Sequence, residues 1–193
     1  MKTDIILAGV GGQGILSIAT ILGAAALEEN LYLKQAEVHG MSQRGGDVQS
    51  NLRISSNPIH SDLIPKGGAD LIVSLEPMEA LRYVEYLSSE GWLVTNTNPF
   101  VNIENYPDME EIKKELSELP HVVAFNMDEK AKELLSPRSS NMILLGAASP
   151  FIDILPEKIE DAIRKVFQRK GEKIVESNIK AFRAGREYAG SIK

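Results

Sequence analysis

Asp4-Ile5-Ile6-Leu7-Ala8-Gly9-Val10-Gly11-Gly12-Gln13-Gly14-Ile15-Leu16 is the stretch on which the fold turns. Ile5 to Ala8 is a short apolar run of the buried-strand kind. It gives way to Gly9-Val10-Gly11-Gly12-Gln13-Gly14, which fits the fingerprint G-x-G-x-x-G. Apolar residues then return at helical spacing, as Ile15, Ile18, Ala19, Leu22, Ala25 and Ala26. Strand, glycine turn and helix, in that order, form the context that gives the fingerprint meaning. The glycines permit a tight turn and let a ligand approach the backbone. The helix start offers unpaired N–H groups and the positive end of a dipole, which suit a phosphate or carboxylate. The competing reading is a turn that only packs a helix onto a sheet.

Outward from this unit, strands and helices alternate. Tyr32 to Val38 reads as a second strand, followed by the polar glycine loop His39-Gly40-Met41-Ser42-Gln43-Arg44-Gly45-Gly46. From Asp47 the pattern has period two. Val48, Ser50, Leu52 and Ile54 share one side, and Asp47, Gln49, Asn51 and Arg53 the other. That is a half-buried strand, antiparallel to its neighbour. Ile59 to Pro65 is expected to return as a short strand.

Ala69 to Leu75 is a buried strand, and Pro77 suits the first position of a helix carrying Ala80, Leu81, Val84 and Leu87. Strands follow at Trp92–Thr95 and His121–Phe125, with a charged helix near Met109–Leu119 between them. Asp128 is expected to cap a helix running to about Leu135. Met142 to Ala148 is apolar and helical. Pro156 to Phe167 and Gly171 to Ala189 are amphipathic helices whose charges read as solvated faces.

The class is therefore α/β: a three-layer α/β/α Rossmann-like sandwich around a mixed, largely parallel sheet. One domain is expected over 1–193, with an antiparallel insertion at 47–64 and C-terminal helices from about 156.

Composition closes several routes. The chain has 193 residues, a net charge of −6 and no cysteine. The charge argues against a nucleic-acid partner. The missing cysteine removes disulfides, thiolate nucleophiles and cysteine-held zinc or iron–sulfur clusters from this chain. No apolar run approaches the roughly 18 residues of a membrane span, and no leader is visible. The expected setting is the cytoplasm, with no membrane partner.

The glycine loop is not a phosphate-gripping Walker loop, because Ile15-Leu16 stand where Lys-Ser/Thr would be needed. A nicotinamide or flavin site wants an acid at the end of the second strand. Glu37 is the candidate there, although it can equally pair with Arg44. Adenylating enzymes with a similar loop usually carry cysteine-bound zinc, which this chain cannot. Arg44, flanked by Gly45-Gly46, can grip a carboxylate or phosphate with two parallel bonds, or bond its own loop carbonyls. His39, His60 and His121 show no metal-ligand pattern, so His39 reads as structural. Glu76, Asn96 and Asn98 fall at carboxyl ends of strands, where open α/β sheets bind ligands. Asn141 reads as a helix cap.

Three segments together carry a family resemblance: Gly9–Gly14, Val38–Gly46, and Gly68-Ala69-Asp70-Leu71-Ile72-Val73-Ser74-Leu75-Glu76-Pro77-Met78-Glu79-Ala80. Asn141 with Leu145-Gly146-Ala147 adds a later element. The chain resembles the gamma subunit or domain of 2-oxoacid:ferredoxin oxidoreductases, especially the beta subunit of the indolepyruvate-using members. The resemblance implies a reaction in which a 2-oxoacid, coenzyme A and oxidised ferredoxin give acyl-CoA, carbon dioxide and reduced ferredoxin. Thiamine diphosphate and iron–sulfur clusters serve that chemistry. This chain has neither the cysteines for a cluster nor the Gly-Asp-Gly that opens the family's thiamine diphosphate motif.

The resemblance therefore implies a non-cofactor subunit with no catalytic residue or metal of its own, inactive alone. A large alpha subunit would hold both cofactors, and ferredoxin would be met through the complex. Gly11, Gly12, Gln13 and Gly14 would form an anion-friendly wall. Arg44, Gly45 and Gly46 would form a second loop at the partner interface or coenzyme A pocket. The rival expectation is a free-standing nucleotide- or dinucleotide-binding protein.

Overall fold

The computed structural model describes residues 1–39, 45–134 and 136–191. The opening strand β1 (Lys2–Val10) is buried from Thr3 onward, which puts it in the middle of a sheet. Six strands follow the order β2-β3-β1-β4-β5-β6, with β2 Tyr32–His39, β3 Asp47–Ser55, β4 Ala69–Ser74, β5 Leu87–Asn96 and β6 Val122–Phe125. The strands β1, β4, β5 and β6 are parallel, and β3 lies antiparallel between β1 and β2. Leu7 stands opposite Ser50 on one side and Val73 on the other. The sheet is mixed and largely parallel, as the alternation of elements implies.

Successive side chains of β1 feed two cores, because strand side chains alternate between faces. Ile5 and Leu7 join Leu52, Ile54, Leu71, Val73 and Val94 under helices α1 (Ile15–Glu28), α5 (Ser140–Ala148), α6 (Pro156–Phe167) and α7 (Glu172–Gly190). Ile6 and Ala8 join Ile72 and Leu93 under α2 (Pro77–Arg82) and α3 (Met109–Glu118). A short α4 (Met127–Glu133) follows β6.

Helix α5 is apolar on every side because it is a core helix, buried from Met142 to Ala148. It crosses α7 at two facing glycines. An added Cβ on Gly146 would lie 1.9 Å from the Phe182 carbonyl oxygen, and one on Gly185 would lie 1.9 Å from that of Ile143. The backbones touch, so no other residue fits at the crossing.

Four local expectations are corrected. Ile59 to Pro65 is not a strand. Arg53 takes that segment instead. Its guanidinium bonds Asp4 through Nε and Nη2, at 2.8 and 2.9 Å, and donates from Nη1 to the carbonyls of Ser61 and Leu63, each at 3.1 Å. The Asn51 side chain accepts from the Ile64 amide at 3.1 Å, so the segment covers the polar side of β3 as a loop.

Helix α2 stops at Arg82, and Leu87 opens β5 rather than extending the helix. The β4–β5 register shifts between Ala69 and Leu71. Gly91 accommodates that shift: a Cβ there would sit 2.9 Å from the Ala69 carbonyl oxygen. The cap of α4 is Asn126, whose side chain accepts from the Glu129 amide at 3.1 Å, rather than Asp128. Asn141 is not a cap either. It lies inside the first turn of α5.

Candidate functional site at the carboxyl edge of the sheet

The ends of the parallel strands gather three loops and two helix starts. The first loop, Gly11–Gly14, runs from β1 into α1. Gly12 and Gly14 have φ of 101° and 87°, in the left-handed region where a side chain is strained. A Cβ added to Gly12 would meet no atom of the described residues within 4 Å. Gly14 caps α1 without a side-chain bond. A Cβ on Gly14 would come 2.9 Å from Asn141 Nδ2, which donates to the Gly14 carbonyl at 3.3 Å. Asn141 thus ties α5 to the first loop.

Gln13 turns inward. Its Oε1 accepts from the Val10 amide at 2.8 Å, and its Nε2 donates to the Leu75 carbonyl at 3.3 Å. This side chain locks the turn onto β4 and leaves the backbone, not the amide, facing outward.

The second loop meets the first through the backbone. The Gly11 amide donates to the Gly46 carbonyl at 2.8 Å, and the Gly45 amide donates to the Gly11 carbonyl at 3.3 Å. Gly45 has a φ of 77°. Gly45 and Gly46, the described end of the second glycine loop, therefore form one rim with the first. Arg44 and the rest of Gly40–Arg44, with the His39 side chain, lie outside the described residues. The Glu37–Arg44 pairing weighed from the sequence falls there too. Glu37 itself is exposed, accepts from Gln35 Nε2 at 2.7 Å, and lines a cleft with Val10, Gly11, Gly12, Gly14 and Ser17. The cleft measures about 390 Å³, within the usual range for small-molecule sites. Among the described residues, its polar lining is the glycine-turn backbone at the α1 start, Ser17 and the Glu37 carboxylate.

In the third loop, residues 97–108, the sequence singles out Asn98 alone. The loop is held from below by Glu76, which is fully buried. Glu76 Oε1 accepts from the Phe100 amide at 3.3 Å and from the Tyr106 hydroxyl, and Oε2 accepts from the Glu79 amide at 2.8 Å, capping α2. Burial and the Glu76 carboxylate push the Tyr106 phenol well above its ordinary value. Burial also raises Glu79, against the lowering effect of Arg82.

Asn98 and Asn96 both donate to Asp128 Oδ2, at 2.9 and 2.8 Å, and Ser140 donates to its Oδ1 at 2.6 Å. Burial would raise the Asp128 carboxyl, but these three donors outweigh it and hold the group below the usual carboxylate value. Asn96 Nδ2 also reaches the Leu75 carbonyl at 3.4 Å. Finally, Asn102 Nδ2 donates to the Gly45 carbonyl at 2.6 Å, joining the third loop to the second. Tyr106 and Asn102 carry no distinctive spacing, so sequence alone could not single them out, and Asp128 reads there only as a cap.

The chain holds no cysteine, and no cluster of three or more His, Asp or Glu side chains able to hold a metal occurs among the described residues. Its residues do not fit an iron–sulfur cluster. No helix among the described residues is long and apolar enough to cross a membrane.

Residues 4–188 match the pyruvate ferredoxin/flavodoxin oxidoreductase family. The chain belongs to that family. It is 36% identical to the indolepyruvate oxidoreductase subunit IorB of Archaeoglobus fulgidus, over 98% of this chain and 96% of the relative. The 2-oxoglutarate synthase subunit KorC of Methanocaldococcus jannaschii is 30% identical, over 100% of this chain and 96% of that subunit. Among solved structures, the keto/oxoacid ferredoxin oxidoreductase gamma subunit of Geobacter sulfurreducens superposes with a TM-score of 0.72 at 26% identity, over 98% and 99% of the two chains. The 2-oxoglutarate:ferredoxin oxidoreductase of Magnetococcus marinus shares the fold with a TM-score of 0.77 at 24% identity. This chain spans all of its own length but only 32% of that one. The family member described here is thus a subunit of a 2-oxoacid:ferredoxin oxidoreductase complex, and the free-standing nucleotide-binding alternative falls away.

Proposed function

We propose that this chain is the non-cofactor subunit of a cytoplasmic oxidoreductase that uses indolepyruvate or another aryl pyruvate. Its partner is a large alpha subunit carrying thiamine diphosphate and iron–sulfur clusters. The observation that carries this reading is the end-to-end match to a subunit named for indolepyruvate, at 36% identity. The complex would decarboxylate the 2-oxoacid, pass the acyl group to coenzyme A, and hand the released electrons to ferredoxin. The bound thiamine diphosphate and clusters would supply the carbon–carbon cleavage and electron transfer from the partner. This chain contributes neither.

Its own part is to bind and orient. Gly11, Gly12, Gln13 and Gly14 form a wall whose backbone approaches a partner or an anion closely, since no described residue fills the space in front of Gly12. Gly45 and Gly46 lie at the same edge, and they and Arg44 are assigned to the partner interface or coenzyme A pocket. An arginine in that loop favours a phosphate or carboxylate.

The test is reconstitution. The purified chain alone should not reduce a viologen dye with indolepyruvate and coenzyme A. Added to a large chain bearing a thiamine diphosphate motif and clustered cysteines, it should restore the activity. Reduction by the lone chain, or a lone chain that retains NAD or FAD and ignores the large chain, overturns the proposal.

A further inference from the structure

We infer that Asn102 is a positioning residue: carried on a loop anchored by buried Glu76, it sets the second glycine turn in place against the first. The inference rests on hydrogen bonds rather than on the family. Loop 97–108 leaves the end of β5 and has few apolar contacts of its own, with Phe100, Val101 and Ile103 all exposed. A loop of this kind stays mobile unless polar anchors hold it.

The anchors are present. Glu76 takes the Phe100 amide and the Tyr106 hydroxyl on one oxygen. Asn98 is held to Asp128 at 2.9 Å. Between these two fixed points the chain projects Asn102 outward, and its Nδ2 reaches the Gly45 carbonyl at 2.6 Å. Gly45 in turn bonds Gly11 by the backbone at 3.3 Å. Gly45 has a left-handed φ and no side chain to hold it. Among the described residues, the bond from Asn102 to its carbonyl is the side-chain contact that fixes the turn from the far side. The arrangement transmits the position of β4 and β5, through Glu76 and Asn102, to the glycine rim. That the rim is the face presented to the large subunit rests on the function proposed above.

The experiment compares Asn102→Ala and Asn102→Asp with the parent. Aspartate nearly conserves size but removes the donor and sets an oxygen against the Gly45 carbonyl. In the whole chain, amide exchange at Gly11 and Gly45 should accelerate about tenfold in both variants. Exchange in β4 should stay unchanged, because a local opening costs only the lost bond. In the assembled complex, both variants should bind the large subunit about tenfold more weakly, with turnover at saturating subunit unchanged.

Unchanged exchange at Gly11 and Gly45 overturns the inference. So does an Asn102→Asp variant that behaves as the parent, or faster exchange with undiminished subunit affinity. If the parent chain itself fails to bind a large subunit, the proposed function is at fault. The exchange measurement then still decides whether Asn102 positions the turn.

Discussion

The α5–α7 crossing and the glycine rim both depend on missing side chains, for opposite physical reasons. At Gly146 and Gly185 the missing Cβ is space already filled by the partner helix, whose carbonyl oxygens stand 1.9 Å away. At Gly12 none of the described residues fills the space of the missing Cβ, and the backbone has a φ of 101°. The first pair lets two backbones close on each other. The second position leaves a backbone open to something outside the chain. A glycine filled from within is there for stability, and a glycine facing a void is there for access. Only the structure separates the two.

The crossing should be the less forgiving region. Gly146→Ala or Gly185→Ala must push the helices apart, in a core where neither can move without opening α5 against the sheet. Overpacking of a core costs about 3 kcal/mol, which for a chain this long lowers Tm by about 10 °C. Thermal melting of the whole chain checks this. A melt within a degree or two of the parent would mean that α7 slides freely, and the contrast with the rim would be lost.

The rim should separate fold from function. Gly12→Val meets no neighbour among the described residues, so its cost to the fold is set by the backbone strain, about 1–2 kcal/mol for a β-branched residue at positive φ. The isopropyl group would nonetheless stand in the open space before the loop. Turnover of the reconstituted complex is therefore expected to fall at least about tenfold, more than the few degrees lost in melting accounts for. Full turnover per assembled complex would make the rim a packing device, like the crossing.

How far each region can be read from the sequence differs in the same way. The sheet is legible because its signals are local: Ile5–Ala8, the period-two pattern from Val48 to Ile54, and the fingerprint that starts α1. The two glycine loops can be named as candidates but not joined, because the bonds from Gly11 to Gly45 and Gly46 link segments far apart in the chain. The strand expected at Ile59–Pro65 fails for a related reason. Its apolar residues suit a strand, but Arg53, on a neighbouring element, captures the carbonyls of Ser61 and Leu63. Gln13 belongs to the candidate site by its place in the fingerprint. Its amide is spent on Val10 and Leu75, a fact that depends on where β4 ends. Asp128 reads as a cap because a carboxylate before a helical run often is one. Its three donors come from β5, the loop after β5, and α5, and none of them is visible as spacing.

Asp128 supplies the smallest expected effect and tests whether the rim is held by charge or by shape. Its carboxyl sits below the ordinary value because Ser140, Asn96 and Asn98 outweigh the effect of burial. A folded value below the unfolded one means that the unfolded chain takes up the proton first on acidification. The stabilisation is then fully present above the unfolded value, near pH 4, and is lost as pH falls through the lower folded one. Asp128→Asn keeps the shape but turns an amide N–H toward donors already there, a cost of about 1 kcal/mol at pH 7. Urea unfolding of parent and variant should therefore show a gap at pH 7 that narrows at pH 3, as the parent loses its charged acceptor. A gap that stays constant between the two pH values would show that the carboxylate serves only as a hydrogen-bonding shape. The rim would then resemble the α5–α7 crossing more closely than the open glycine turn suggests.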